Sequence, residues 1–137
     1  MKYLLDTHIL IWTLTDNPKL DPAVKAILAE ESHEFYPSRE SVRELILKAK
    51  TGKLTLPADI DTLLFELQDA YGIRLLTVKP KHLKQLYHLA TPAIHKDPFD
   101  HLLICQAIAD KLTLISADRN FPRYQSQGLQ LLVNKIG

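Results

Sequence analysis

Residues 95–121, HKDPFDHLLICQAIADKLTLISADRNF, spell out a turn, a helix and a buried strand in immediate succession. Asp97-Pro98 is a helix start: the aspartate takes the N-cap and the proline the first turn, where a missing N–H costs nothing. The helix is expected to run to about Lys111, TLIS (113–116) to form a short apolar strand, and Asp118 to sit just beyond that strand's carboxyl end. Phe121 to Gln125 reads as a short helix and LQLLV (129–133) as a last strand.

The remainder of the chain repeats this grammar. Tyr3, Leu4 and Leu5 form the continuous apolar run of a strand covered on both faces, and Asp6 follows it. Thr7 is placed to cap a helix of Ile9, Leu10, Ile11, Trp12 and Leu14, apolar on every side and so expected to be largely buried. Asp21-Pro22 opens a helix to about Glu31, with Ala23, Ile27 and Leu28 on one face. EFYP (34–37) is a second strand. Ser38 opens a helix carrying Val42, Leu45, Ile46 and Ala49, which stops near Gly52. Pro57 is expected to start the next helix and Gly72 to close it, with RLLTV (74–78) as another strand and Lys79 to Ala90 helical. Strands alternating with helices, and no Asn-Gly hairpin signal, predict a central parallel sheet wrapped by helices in one domain spanning 1–137.

In open sheets of this kind ligands settle beyond the carboxyl ends of the strands. Asp6 and Asp118 fall there, and Asp100 lies in the first turn of its helix, where a carboxylate is favoured by the helix dipole. If the fold joins these acids, their repulsion is large: two charges ~4 Å apart interact by about 4 kcal/mol at an effective dielectric of 20. A divalent cation is the natural remedy. Glu44 has two simpler readings, since Ser41 and Glu44 have capping-box spacing and Glu44 with Lys48 is a favourable helix ion pair. Asp97 is accounted for by its cap.

Composition sets the limits of function. The 137 residues carry a net charge of +1, so nucleic-acid binding has to rest on local basic clusters such as Arg39, Arg43, Lys48, Lys50 and Lys53. One cysteine excludes a disulfide framework and a Cys-rich zinc site, and the six histidines show no metal spacing. Oxygen donors alone select Mg²⁺ or Mn²⁺. The opening residues lack a signal-peptide pattern and no apolar run is long enough to span a bilayer, so the expected setting is the cytoplasm, without membrane contact. Phosphate loops and serine-hydrolase elbows are absent. A phosphotransferase using two aspartates at one strand end fails because His8 stands where the second is needed.

YLLDTHILIW (3–12), SVRELILKAKTGKL (41–54) and HKDPFDHLLICQAIADKLTLISADRNFPRY (95–124) together resemble the PIN-domain ribonucleases, and among them the toxins of VapBC-type toxin-antitoxin pairs. The resemblance implies a three-layer α/β/α fold and Mg²⁺- or Mn²⁺-dependent hydrolysis of RNA at Asp6, Glu44, Asp100 and Asp118, with Asp97 behind them. It implies a homodimer and a small VapB-like antitoxin, whose groove is expected along the helices from Thr7 and Asp21. Arg39, Arg43, Lys48, Lys96 and Arg119 are the candidates for holding the RNA backbone. Arg43 stands where many relatives carry Trp. A housekeeping nuclease acting on RNA or DNA and a catalytically silent PIN interaction module are the alternatives.

Overall fold

The computed structural model describes residues 1–135. Four parallel strands, β1 (Lys2–Leu5), β2 (Glu34–Pro37), β3 (Thr113–Ser116) and β4 (Gln130–Val133), stand in the order β2-β1-β3-β4. The helices are α1 (Thr7–Leu14), α2 (Pro22–Leu28), α3 (Arg39–Lys50), α4 (Ile60–Tyr71), α5 (Pro80–His88) and α6 (Pro98–Asp110), with short 3₁₀ turns at Gly72–Arg74 and Phe121–Gln127.

Alternation along the strands divides the core in two. Leu4 and Leu114 point to one side, joining Leu103, Ile104 and Ala107 of α6 with Phe121 and Tyr124. Tyr3, Leu5 and Ile115 point to the other, joining Ile9 and Leu10 of α1, Val24 of α2, and Leu63 and Leu67 of α4. A parallel sheet covered on both faces is the expected three-layer α/β/α arrangement, and it explains why the strands read as unbroken apolar runs.

Several local expectations change. α4 starts at Ile60, because Asp59 caps it through Thr62 N at 2.9 Å; Pro57 lies outside it. RLLTV makes only one parallel bridge, between Ser38 and Leu76, with Leu76 N donating to Pro37 O and Arg39 N to Leu76 O, both at 2.8 Å. Those bonds extend β2 at its very end, too few for a strand. α2 ends at Leu28, and the residue of its face that buries fully is Val24. In α1 only Thr7, Ile9 and Leu10 are buried, while Ile11, Trp12 and Leu14 are half-exposed. Asp6, not Thr7, is its N-cap.

Among the described residues, no helix is long and apolar enough to cross a membrane.

Candidate metal centre

Neighbouring parallel strands end side by side, and β1 and β3 do so in a register that pairs Leu5 with Ile115. The next residues are Asp6 and Ser116, whose hydroxyl donates to Asp6 Oδ2 at 2.7 Å. The other oxygen of Asp6 accepts the Thr7 amide at 2.6 Å. Ser116 Oγ also accepts the amide of Asp118 at 3.0 Å, so one serine braces both strand-end aspartates.

Glu44 reaches the same region from α3. Its Oε1 accepts the Thr7 hydroxyl at 2.7 Å and its Oε2 meets Lys48 Nζ at 2.8 Å, with Glu44 almost wholly buried. Ser38 caps α3 through Glu40 N, so the Ser41–Glu44 capping box does not form; Ser41 Oγ instead lies 3.0 Å from the Thr7 hydroxyl. The Glu44–Lys48 ion pair does form.

Asp97 accepts the amides of Phe99 and, more weakly, Asp100 as the N-cap of α6. The turn that follows buries Asp100, whose Oδ2 lies 3.0 Å from His95 Nε2. Ligand atoms of His95, Asp100 and Asp118 all lie within 4.8 Å of one another. No spacing along the chain singles out His95: its partners are five residues ahead, 23 ahead and, at Tyr124, 29 ahead.

The electrostatics follow from this crowding. Burial pushes the Asp6 carboxyl up to about 7, against the hydrogen bonds of Ser116 and Thr7, with the charges of Glu44 and Asp118 adding to the rise. Asp100 is pushed up to about 9, first by burial and then by Asp6, Asp97, Asp118 and Glu44. Lys48 is drawn the other way: burial disfavours its charge, but Glu44, Asp97 and Asp100 outweigh it and hold the ammonium above its ordinary range. Burial and the neighbouring His101 push the His95 ring down from its ordinary value, which disfavours a compensating charge there. With Lys48 paired to Glu44, the site still has an excess of carboxylates, an arrangement that a divalent ion relieves. Oxygen donors in majority suit Mg²⁺ or Mn²⁺.

The basic candidates divide between two surfaces. Lys48 shares a hollow of about 400 Å³ with Glu44, Lys53, Asp97 and Phe99. Arg39 and Arg43 instead rim a groove of about 420 Å³ between α3 and α4, floored by Val42, Ile46, Leu64 and Leu67. Arg43 pairs with Glu40 at 2.9 Å and lies over the Phe99 ring. Lys96 and Arg119 are exposed beside Asp97 and Asp118 in the chain. Leu14 of α1 and Ile27 and Leu28 of α2 pack against the core, Trp12 of α1 lines a hollow of about 230 Å³ with His8, Ala117 and Asp118, and a larger apolar groove lies open between α3 and α4.

The family model described as PIN domain matches residues 3–126. Among solved structures, VapBC2 from Rickettsia felis, bound to a DNA fragment from its promoter, is similar with a TM-score of 0.67 and 19% identity, over 97% of this chain and 98% of that one. DNA-bound VapBC from Salmonella typhimurium gives 0.65 and 18%, covering 98% of each chain. FitAcB from Neisseria gonorrhoeae gives 0.67 and 19%, over 96% of this chain and 97% of that one. At such identities the likeness is one of fold. No match is found among curated proteins.

Proposed function

Since the chain belongs to the PIN-domain family, we propose that it is a Mg²⁺- or Mn²⁺-dependent endoribonuclease acting as a VapC-type toxin. The observation that carries this reading is the approach of Asp6, Glu44, Asp100 and Asp118, from separate parts of the chain, close enough for their charges to raise Asp6 and Asp100.

Asp6, Asp100 and Asp118 would hold the cation, with Glu44 as a further ligand or as the group that orients water. When bound, the ion stabilises charge developing on the scissile phosphate and lowers the pKa of water at the site. The protein's own residues prepare that chemistry. Ser116 and the Thr7 amide fix the plane of Asp6, and Thr7 and Lys48 each hold one oxygen of Glu44. No side-chain nucleophile is needed. Lys48, Lys96 and Arg119 are placed to meet RNA phosphates, which supplies affinity but little sequence information.

The similar solved structures are toxin-antitoxin assemblies, which supports a small VapB-like antitoxin as partner. Its seat is proposed in the α3–α4 groove, where an apolar segment would fill the floor and an acidic side chain would meet Arg39 or Arg43. A homodimer is proposed from the resemblance to the family alone.

Purified protein is expected to cleave RNA in Mn²⁺ or Mg²⁺ and to stop in EDTA, and its expression without a partner is expected to arrest growth. Cleavage that persists in EDTA would overturn the metal reading. Harmless expression of a protein active in the tube would remove the toxin role alone.

A further inference from the structure

Tyr124, His95 and Asp100 form a buried line of hydrogen bonds that ends on one of the acids of the centre. Tyr124 Oη lies 2.6 Å from His95 Nδ1, and His95 Nε2 lies 3.0 Å from Asp100 Oδ2. Tyr124 is fully buried and His95 nearly so. The His101 ring meets the imidazole edge to face, and its Nε2 donates to the backbone carbonyl of His95 at 2.8 Å.

Counting protons gives the line a direction. With a cation bound, Asp100 is ionised and can only accept, so the hydrogen at His95 Nε2 belongs to the histidine. Nδ1 faces the Tyr124 hydroxyl at 2.6 Å, and a bare Nδ1 can accept from it. Among the described residues, Tyr124 Oη has no hydrogen-bond partner other than that nitrogen, so its proton goes there, and a buried hydroxyl without an acceptor is avoided. The reverse arrangement, with Nδ1–H donating to Tyr124, would leave the tyrosine proton with nowhere to go and Nε2 facing a carboxylate with no proton between them.

We propose that His95 is a positioning residue for the metal centre: held by the Tyr124 hydroxyl in its Nε2–H form, it ties down Oδ2 of Asp100 and so fixes the carboxylate that would hold the cation. The role rests on the proposed metal centre and adds to it the residue pair that sets its geometry. His95 thereby acts through Asp100 and does not itself ligate, although its nitrogen lies close enough to Asp100 and Asp118 for ligation to be the competing arrangement.

Two measurements test this without recourse to activity. In ¹⁵N-labelled protein loaded with Mg²⁺, long-range ¹H–¹⁵N spectra are expected to show His95 protonated at Nε2; protonation at Nδ1, or ¹⁴N coupling from His95 to bound Mn²⁺ in pulsed EPR, would overturn the positioning role in favour of ligation. Calorimetric titration with Mn²⁺ is expected to show His95→Ala weakened roughly 10- to 100-fold, as is usual when a ligand's supporting hydrogen bond is removed. Tyr124→Phe, which deletes one hydroxyl, is expected to lose several-fold. His95→Gln, which keeps an N–H for Asp100, should recover most of the affinity. Tyr124→Phe and His95→Gln carry the test if His95→Ala does not fold. Variants that bind as tightly as wild type would overturn the proposal and leave the metal centre standing, whereas wild-type protein that takes up no Mn²⁺ would overturn both.

Discussion

Asp6 bears three constraints at once: it caps α1, accepts the Ser116 hydroxyl, and is pushed up to about 7 by burial and by its acidic neighbours. A group held this way is costly to the fold and useful only if something neutralises it. Asp6→Asn is therefore expected to lower RNA cleavage by roughly two orders of magnitude while raising the melting temperature of the cation-free protein at pH 8, because a buried charge is removed and the amide still fills the cap. Loss of activity together with loss of stability would mean that Asp6 is chiefly structural. Thr7→Val tests Glu44 from behind. It deletes the hydroxyl that holds Oε1 at 2.7 Å, and about a tenfold drop in turnover with little change in melting is expected. The strand-end aspartates were legible in the sequence because a parallel sheet assigns them one location before any contact is known. Glu44 was legible only through the family resemblance, since capping and ion pairing each explained it on its own; Ser38 proved to be the cap, and the ion pair formed. His95 was invisible to spacing, for its partners meet it only through the turn before α6 and the 3₁₀ turn that carries Tyr124.

Elements whose ends carry a chemical signal were readable to within a residue or two. Asp21-Pro22, Asp97-Pro98, Ser38 and Gly72 all stand at the helix ends where capping and proline rules put them. Pro57 misled because a proline offers a first turn only if a cap precedes it, and the cap available was Asp59. RLLTV misled differently: its apolar run marks burial of Leu75, which the core needs, while the backbone beyond Leu76 leaves the sheet. α6 ends on an avoidable cost, since its C-cap Lys111 is in the left-handed region at φ 57°, a conformation that disfavours residues with a Cβ. Lys111→Gly is expected to stabilise the protein by about 1 kcal/mol, read as a higher urea midpoint with an unchanged slope. Lys111 is exposed and on the far end of α6 from Asp100, so cleavage should not change.

At the scale of the molecule, the acids couple the metal centre to the stability of the fold. Both Asp6 and Asp100 are raised, to about 7 and about 9, above the ordinary carboxylate value near 4. The folded chain thus keeps protons that the unfolded chain has already given up, and stability falls as pH rises until both groups have ionised. His8 and His95 are shifted down, chiefly by burial, and push in the opposite sense only around and below pH 6.5. Carboxylates shifted down, such as Asp59 and Asp110, matter only in acid. Between pH 7 and pH 9 the acidic centre dominates, with a smaller fall in the same sense from Cys105, whose thiol burial pushes up to about 12. Across it the cation-free protein is expected to lose on the order of 2 kcal/mol, several degrees of melting temperature, since one proton over two pH units is worth at most about 2.7 kcal/mol. Mn²⁺ should reverse the slope, because the ion binds the ionised ligands and stabilises only the folded state, so its effect on melting grows with pH. Cation-free stability that is level or rising between pH 7 and pH 9 would mean that Asp6 and Asp100 are already ionised and compensated by the protein itself, and the need for a metal at this site would disappear with it.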